Sequence, residues 1–362
     1  MRSSKTPPVY KQFFLFILFF PALASAEIQP RIVGGSLAEA QERGFMAYLA
    51  MSDGKYFGSC GGALIEEDWV VTAAHCVDDQ TTSTLRVIPG GQRVPRPRNI
   101  VDNWSKWSAV KRILVHQGYD TETSQNDIAL LQLEQPVKTG KTSIIDSASL
   151  NSEITSGSKA YAFGRGTQKS RPAGADNDDP ATTRLYVVDL PLVANTVCED
   201  QLKAQFADLT GGSEDNPGAT LSIGQLCAGG TSKTKDTCQG DSGGPIMVAK
   251  NDGLIYLAGV TSWGYGCAYY TTPGVYTRVP AYAGAIDDVI KGRSTEFKGA
   301  PVAGGTAVLG DSAQQGGGGG GALNAVWWGL LVMLRRRLLN ILPHKFMKVP
   351  KPLLDTTDTH MR

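Results

Sequence analysis

Three short segments of the sequence carry the side chains best suited to chemistry. His75 ends a run of valine, threonine and alanine, Asp127 opens an apolar run, and Ser242 lies among glycines in the segment 240–245. A serine hydroxyl is a poor nucleophile unless a base takes its proton and a third group holds that base in the right tautomer. Alone, each residue fits a simpler role: a core histidine, a capping acid or a turn serine. Their conjunction predicts nucleophilic catalysis by serine.

Strands and tight turns must position these residues. Val70 and Val71 precede the histidine segment, and short β-branched runs elsewhere alternate with turns rich in glycine and proline, which is typical of an all-β protein. Gly240, Gly243 and Gly244 permit positive φ and close approach by another molecule, as a loop of exposed amides requires. The sequence therefore predicts a histidine and an aspartate at strand ends and a serine on a glycine-rich loop.

A set of motifs in a fixed order resembles trypsin-like serine proteases of the chymotrypsin family. The motifs are RIVGG at 31–35, TAAHC at 72–76, DIALL at 127–131, GDSGGP at 240–245, SWG at 262–264 and PGVYTRV at 273–279. The resemblance covers residues 32–292 and implies an all-β fold of two packed six-stranded antiparallel β-barrels with a short C-terminal helix. It places His75 and Asp127 in the first barrel and Ser242 in the second, with the active site in the cleft between them.

The resemblance also implies a catalytic role for each of these residues. Ser242 would attack the peptide carbonyl, His75 would accept and return the proton, and Asp127 would orient and stabilise the imidazolium. The amides of Gly240 and Ser242 would form the oxyanion hole. The alternative is a catalytically inactive homologue that acts as a binding protein. Retention of all three residues and of the oxyanion glycines argues against it.

A specificity pocket is expected beside the SWG segment. Asp236 stands where trypsin-like members keep a carboxylate at the bottom of this pocket, and Gly264 and Gly274 match its two wall positions. A carboxylate facing a guanidinium or ammonium discriminates strongly, because without that partner its charge stays unpaired. By resemblance, Ser262 would bond the catalytic aspartate, and this segment, with Trp263, would present backbone to an extended substrate. The expected partners are protein or peptide substrates cleaved after Arg or Lys.

The resemblance further implies a zymogen. Ile32 follows Arg31, so a trypsin-like cut between them would free the amino group of Ile32 after a short pro-segment, 27–31. In the family this amino group inserts and pairs with the residue that matches Asp241, which orders the oxyanion loop. The uncut form is therefore expected to be nearly inactive.

Cysteine usage favours disulfides over a metal site. The six cysteines are an even number without a C-x-x-C pair, and there are four histidines. Spacing alone allows about 15 pairings. The resemblance implies Cys60 with Cys76, Cys198 with Cys227, and Cys238 with Cys267. No cofactor or metal is expected, and the segment 86–98, where animal trypsins bind calcium, holds four arginines and no acid.

The N-terminal segment has the features of an export signal. Basic residues precede the apolar run 13–20, and Ala-Ser-Ala at 24–26 supplies a small-x-small cleavage site, which predicts a signal peptide at 1–26. The alternative is a membrane anchor, but this run is far shorter than the roughly 20 residues needed to span a bilayer.

The C-terminal segments predict a processed tail. Residues 293–321 form a Gly-rich linker, 322–337 a short hydrophobic segment with an arginine cluster, and 338–362 a basic tail. The order of parts in 316–337 resembles the glycine-glycine C-terminal sorting signals of Gram-negative bacteria, which a rhomboid-type intramembrane protease removes. A secreted or cell-surface protein is expected, transiently tethered by 322–337. The extension 338–362 leaves a retained membrane-tethered form open, and 322–334 could instead be an interfacial helix.

The charge distribution argues against nucleic-acid binding. The formal net charge of +1 averages unlike parts, since residues 32–334 carry 24 basic and 31 acidic side chains, net −7. A nucleic-acid binder would place its basic excess on the folded part. The expected body is a mildly acidic monomer.

Some residues depart from the family pattern or match none of its motifs. Arg165 replaces the tryptophan of the family's Gly-Trp-Gly motif, which puts the packing there in doubt, and the following loop, 166–183, is expected to be exposed. His116, His344 and His360 match no motif and are expected at the surface or in the tail.

Overall fold

The computed structural model of the chain describes residues 32–38, 44–90, 93–167, 169–170, 172, 182–211 and 220–303. The expected signal peptide, the pro-segment with Arg31, the sorting signal and the basic tail lie outside the described residues, as does most of the loop 166–183. Within the described residues, no helix has the length and apolar character needed to cross a membrane.

The first barrel follows the short strand β1 (Ser36–Leu37). Its strands are β2 (Met46–Ser52), β3 (Phe57–Glu66), β4 (Trp69–Thr72), β5 (Leu85–Pro89), β6 (Ser108–Val115) and β7 (Ala129–Leu133). They pair antiparallel in the closed order β2-β3-β4-β7-β6-β5. Because Thr72 of β4 lies opposite Ala129 of β7, the residues after β4 are brought next to Asp127, which precedes β7.

The second barrel is also closed and antiparallel. Its strands are β8 (Lys159–Gly164), β9 (Tyr186–Val193), β10 (Gln225–Gly229), β11 (Pro245–Ala249), β12 (Ile255–Trp263) and β13 (Pro273–Arg278). The order is β9-β10-β13-β12-β11-β8, and pairing of β8 with β9 closes it, while β1 adds to β9 from outside. The expected fold of two six-stranded barrels is confirmed.

Alternating burial explains why these segments form barrels. Along β9 every second residue, from Tyr186 to Leu192, is buried, which is the period of a strand with one face on the core. Each barrel has its own apolar core, and a third cluster joins the barrels. In that cluster the rings of Phe45 and Phe163 meet edge to face with centroids 5.5 Å apart.

Short helices lie outside the barrels. They are α1 (Pro97–Val101), α2 (Ser147–Ser156), α3 (Asn195–Thr210) and α4 (Ala283–Ile290). The first turn of α2 is capped by Asp146, which accepts a hydrogen bond from the amide of Ser149, and the helix ends at Gly157 with φ +65°. The expected C-terminal helix is α4, which buries Ala283, Ile286 and Val289 in the cluster shared by the barrels.

Three disulfides join the six cysteines in the pairing that the resemblance implies. They link Cys60 to Cys76, Cys198 to Cys227, and Cys238 to Cys267. The first fastens β3 to the short 3-10 turn Ala74–Cys76 that carries His75. The second fastens α3 to β10, and the third joins the loop before Ser242 to the loop after β12.

One sequence-based expectation needs correction, that for His116. His116 is buried, with 4% of its surface exposed, because it packs between the rings of Tyr282 and Phe297. Residues 293–303 are the described part of the segment expected to be a Gly-rich linker; most of them are exposed, but Phe297 among them is 1% exposed. One buried aromatic ring thus anchors a stretch whose other residues are mostly exposed.

Candidate active site

His75 and Asp127 form a bonded pair at the end of β4. The carboxylate of Asp127 is 1% exposed and accepts from His75 twice: the backbone amide bonds Oδ1 at 2.9 Å and Nδ1 bonds Oδ2 at 2.8 Å. Ser262 Oγ donates to Oδ2 at 2.5 Å, and Thr277 Oγ1 donates to the Asp127 carbonyl at 2.6 Å. Donors from both barrels therefore hold the aspartate.

These bonds set the charges of the pair. Burial acts to raise the pKa of Asp127, but the hydrogen bonds and charge of His75 and the bond from Ser262 outweigh it, so the pKa is lowered. Burial acts to lower the pKa of His75, but the bond and charge of Asp127 outweigh it, so that pKa is raised. An ionised Asp127 keeps a proton on Nδ1, which leaves Nε2 of the neutral ring as an acceptor.

Ser242 lies on the loop before β11, held against the first barrel. Its carbonyl accepts from the amide of Gly61 in β3 at 2.7 Å, and the amide of Gly243 donates to Thr261 at 2.8 Å. No hydrogen bond between described residues joins Ser242 Oγ to His75, whose Nε2 lies 3.7 Å from Cys76 Sγ. Catalytic bonds of this kind are often long without substrate and tighten when it binds.

Glycines allow the loop that carries Ser242 to reach the first barrel. A Cβ on Gly61 would lie 2.6 Å from Gly244 Cα, and a Cβ on Gly243, which has φ +71°, would lie 2.2 Å from Thr72 Oγ1. Real Cβ atoms do not approach so closely. The distance between the barrels at the site therefore depends on these residues having no side chain.

Replacing Gly61 with alanine is expected to destabilise the protein by about 1–3 kcal/mol, because backbone of the second barrel must move to admit the methyl group. The matched control is Gly58→Ala in the same strand, whose Cβ would meet only the Met51 side chain, nearest at its flexible end, Cε, at 3.3 Å. Urea unfolding of the two variants measures the difference. Equal free energies of unfolding would show that the barrels do not depend on this contact.

The amides of Gly240 and Ser242 are available to a ligand. Gly240 adopts φ +93°, a conformation that glycine tolerates and other residues rarely adopt. Among the hydrogen bonds of the described residues, neither amide donates to another protein atom. The loop between them is anchored by Asp241, whose amide donates to the Cys238 carbonyl at 2.9 Å.

A cavity of 170 Å³ opens beside Ser242, and Asp236 lines it. Asp236 Oδ2 accepts from the Ala268 amide at 2.8 Å. Burial raises the pKa of Asp236 to about 7; amides act to lower it and the charge of Asp241 adds to the rise. A Cβ on Gly274 would lie 3.7 Å from Asp236 Oδ1, in ordinary van der Waals contact, so this glycine lies beside the carboxylate.

The rest of the cavity lining contains the other residues expected there. Ser262, Trp263 and Gly264 line it from the end of β12, and the disulfide-bonded Cys238 and Cys267 lie on another wall. A Cβ on Gly264 would lie 3.7 Å from Gly274 Cα, so the two glycines face each other. The cavity thus has two glycines without side chains in its lining and one acidic group, Asp236.

Asp241 and Ile32 are the two residues that the proposed activation would join. Both are fully buried, and Ile32 packs in the core of the second barrel. The Asp241 carboxylate accepts from the amides of Gly166 at 2.7 Å and Cys238 at 2.8 Å. Burial raises its pKa to about 7 against the effect of these amides. A Cβ on Gly164 would lie 1.9 Å from Asp241 Oδ1, so the carboxylate fills the space that glycine leaves.

Arg165 is accommodated between these glycines. It is 3% exposed, and its Nη1 donates to the Thr183 carbonyl at 3.4 Å. Its backbone amide also bonds Asp241. The arginine therefore leaves the backbone around Asp241 in place.

The structure offers little to hold a metal ion at this site. Cys60, His75 and Cys76 bring three potential ligand atoms within 4.8 Å of one another, and among the described residues they form the one such group. The two sulfurs are bonded to each other, so neither is a thiolate that could bind a metal.

Comparison with known proteins assigns the family. The profile of the trypsin family matches residues 32–286. The chain belongs to the trypsin family. This trypsin-family chain is 35% identical over 276 residues to vitamin K-dependent protein C of Mus musculus, covering 75% of the chain and 54% of that protein. It is 30% identical over 226 residues to transmembrane protease serine 11G of Rattus norvegicus, covering 62% of the chain and 47% of that protein. The trypsin-family chain spans about half the length of these relatives.

Two residues that support the site carry only a weak signal in the sequence of this trypsin-family chain. Thr277 bonds the Asp127 carbonyl, and Thr72 Oγ1 bonds the Gly61 carbonyl at 2.8 Å. Both are buried threonines within apolar strands. A buried hydroxyl in a strand is a weak sign of a hydrogen bond, but only the fold shows which group receives it.

Proposed function

We propose that this chain is a serine endopeptidase that hydrolyses peptide bonds after Arg or Lys. The observation that carries the proposal is the joint placement of a buried Asp127 bonded to His75 and of Ser242 beside a cavity lined by Asp236. The types of these residues, their spacing and the family support the same chemistry. Each step below uses side chains and amides of the chain itself.

The proposed reaction begins with attack of Ser242 Oγ on the substrate carbonyl. The hydroxyl proton moves to His75 Nε2, and Asp127 stabilises the resulting imidazolium. The carbonyl oxygen becomes an oxyanion that accepts hydrogen bonds from the amides of Gly240 and Ser242, each worth about 3–4 kcal/mol in comparable sites. Breakdown expels the amine, which takes the proton from His75, and leaves an acyl-enzyme. Water then repeats these steps and releases the acid.

Selectivity for a basic residue follows from the cavity. A guanidinium or ammonium that enters it meets the Asp236 carboxylate and favours its ionised form, which lowers the pKa from about 7. An uncharged side chain leaves that desolvated carboxylate without a partner. Gly264 and Gly274 leave the cavity wide enough for a long side chain.

Activation is proposed to require a cut between Arg31 and Ile32. The new ammonium group at Ile32 would pair with Asp241, whose raised pKa reflects a carboxylate withdrawn from water. Within the described part of the chain, Asp241 forms no ion pair. Because Asp241 lies between the two oxyanion amides in sequence, pairing it would hold both amides in place.

The proposal is tested with a serine-reactive fluorophosphonate and a peptide library. A chain that starts at Ile32 is expected to be labelled at Ser242 and to cleave after Arg and Lys, whereas a chain that retains the pro-segment and carries Arg31→Gln reacts far more slowly. Absence of labelling on the Ile32-started chain would favour the inactive binding homologue. A leading preference other than Arg or Lys would overturn the role of Asp236.

A further inference from the structure

The chain beyond α4 turns back toward the first barrel as a C-terminal strap, defined here as residues 293–303. The amides of Arg293 and Ser294 donate to the Asp288 carbonyl at 2.8 and 3.0 Å, which ends the helix. The Arg293 side chain bonds Asp288 Oδ1 at 2.7 Å. These contacts fasten the start of the strap to the end of α4.

The strap is fastened to two consecutive residues of the first barrel. The Phe297 carbonyl accepts from the amide of Gln117 at 2.9 Å, and the Phe297 ring meets the His116 ring edge to face at 5.0 Å. The Gly299 carbonyl lies 2.9 Å from His116 Nε2. Farther along, the Val302 amide donates to the Ala281 carbonyl at 3.0 Å.

His116 links the strap to its own loop through both ring nitrogens. The amide of Gly118 donates to Nδ1 at 3.1 Å, so Nδ1 is unprotonated and Nε2 carries the hydrogen that Gly299 accepts. Burial lowers the pKa of His116, against the effect of the Gly299 bond, which agrees with a neutral ring. One ring therefore fixes two backbone segments that are far apart in sequence.

The loop that begins at His116 ends at Asp127. The amide of His116 donates to the Ile128 carbonyl at 3.0 Å, which closes the base of the loop. Asn126 has φ +54°, and its side chain donates to the Gly118 carbonyl at 2.8 Å and accepts from Tyr282 Oη at 2.9 Å. The rarely adopted backbone just before Asp127 is thus held by the residues that His116 and the strap contact.

If the strap only covered apolar surface, that role would explain the buried ring of Phe297 and nothing else. It would not account for hydrogen bonds to Gln117 and His116, the residues at the base of the loop that carries Asp127. We infer that the C-terminal strap and His116 are positioning elements that hold Asp127 in the geometry in which it bonds His75. The inference rests on the proposed function for its kinetic consequence.

Four variants test the inference by removing the contacts of Phe297 and of His116 separately. Phe297→Ala removes the ring, and His116→Ala removes both ring bonds. His116→Gln keeps a donor near the place of Nε2, and His116→Asn keeps an acceptor near the place of Nδ1. The matched control is Lys298→Ala, which changes an exposed strap residue that pairs only with Glu296 at 2.6 Å among the ion pairs described.

For the Ile32-started chain, Phe297→Ala and His116→Ala are expected to lower kcat for a small arginine amide about 10–100-fold, as modest misplacement of catalytic groups does. KM should stay within about twofold, because the Asp236 cavity belongs to the second barrel. The acid limb of kcat/KM should move to lower pH, since the bond and charge of Asp127 do most to raise the pKa of His75 and the charge of Asp78 adds only a smaller rise. His116→Gln and His116→Asn should each retain more activity than His116→Ala, and Lys298→Ala should match the parent.

NMR titration of the His75 ring supplies a readout that needs no catalysis. The strap variants are expected to lower its pKa, while thermal unfolding shows that they remain folded. Unchanged kcat, acid limb and His75 titration in Phe297→Ala and His116→Ala would overturn the inference, even if both lost stability. A parent chain that resists the fluorophosphonate would instead overturn the proposed function, and the titration would still decide the role of the strap.

Discussion

Replacing Ser242 with alanine in the Ile32-started chain is expected to lower kcat by about 10⁶-fold, as loss of a nucleophile does in triad enzymes. The alanine leaves no hydroxyl to form the acyl-enzyme, so His75 has no proton to accept. The remaining turnover comes from the amides of Gly240 and residue 242, which still stabilise an oxyanion formed by water attack. Hydrolysis of an arginine amide, followed over hours at high enzyme concentration, measures the loss.

Binding should survive this substitution. The cavity that Asp236 lines does not depend on the Ser242 hydroxyl, so the affinity for benzamidine, a cationic competitive ligand, is expected to stay within about twofold. The matched control is Ser83→Ala, which removes a hydroxyl that bonds only its neighbour Thr81 on the surface among the described contacts. Retention of more than a few per cent of parental kcat by Ser242→Ala would mean that another group is the nucleophile.

Residue types and spacing predict the reacting groups because chemistry constrains them tightly. A serine nucleophile needs a base and an orienting acid. The motifs that contain His75 and Asp127 are far apart in the sequence, and in the structure the two side chains are hydrogen-bonded. The cysteine pairs follow from the same resemblance. The two barrels also follow from the resemblance, and the β-branched runs between turns agree with an all-β protein.

The supports of those groups could not be predicted from the sequence. His116 matches no motif, and its burial depends on Phe297, a residue far along the chain in a stretch rich in polar residues. Gly61 gives no sign that it faces Gly244 across the barrels. Such contacts join distant segments through one atom or one ring, so they have no local periodicity to detect. Packing between elements, and not propensity within them, decides these positions.

Two carboxylates near the site share an electrostatic property. Burial raises the pKa of both Asp236 and Asp241 to about 7, and the charge of Asp241 adds to the rise at Asp236. An ionised carboxylate that is withdrawn from water and has no charge partner destabilises the folded state at either position. Both are instead suited to receive a cation: a substrate side chain at Asp236 and, in the proposed activation, the ammonium of Ile32 at Asp241. The unfavourable burial is then relieved by binding or by cleavage.

Asp236→Asn is therefore expected to weaken catalysis and strengthen the fold. Loss of the charge partner should lower kcat/KM for arginine substrates about 10²–10⁴-fold, which corresponds to about 3–5 kcal/mol for an unpaired buried charge. The same change removes a carboxylate whose folded-state pKa exceeds its unfolded value. Ionisation of this carboxylate therefore lowers the parent's free energy of unfolding as pH rises from about 4 to 7. At pH 8 the variant should be more stable than the parent by about 2–4 kcal/mol.

The pH dependence of benzamidine binding checks independently that the pKa of Asp236 is raised. The parent needs ionised Asp236, so its affinity should be level above pH 7 and fall about tenfold for each unit below it, whereas that of Asp236→Asn should be weak and flat. The control, Asp102→Asn, changes an exposed acid that is 3.9 Å from Arg98 and should alter neither property. Because misfolding lowers activity and stability together, a variant that loses arginine cleavage while gaining stability isolates the cavity as the cause. Undiminished cleavage after arginine by Asp236→Asn would place the specificity elsewhere.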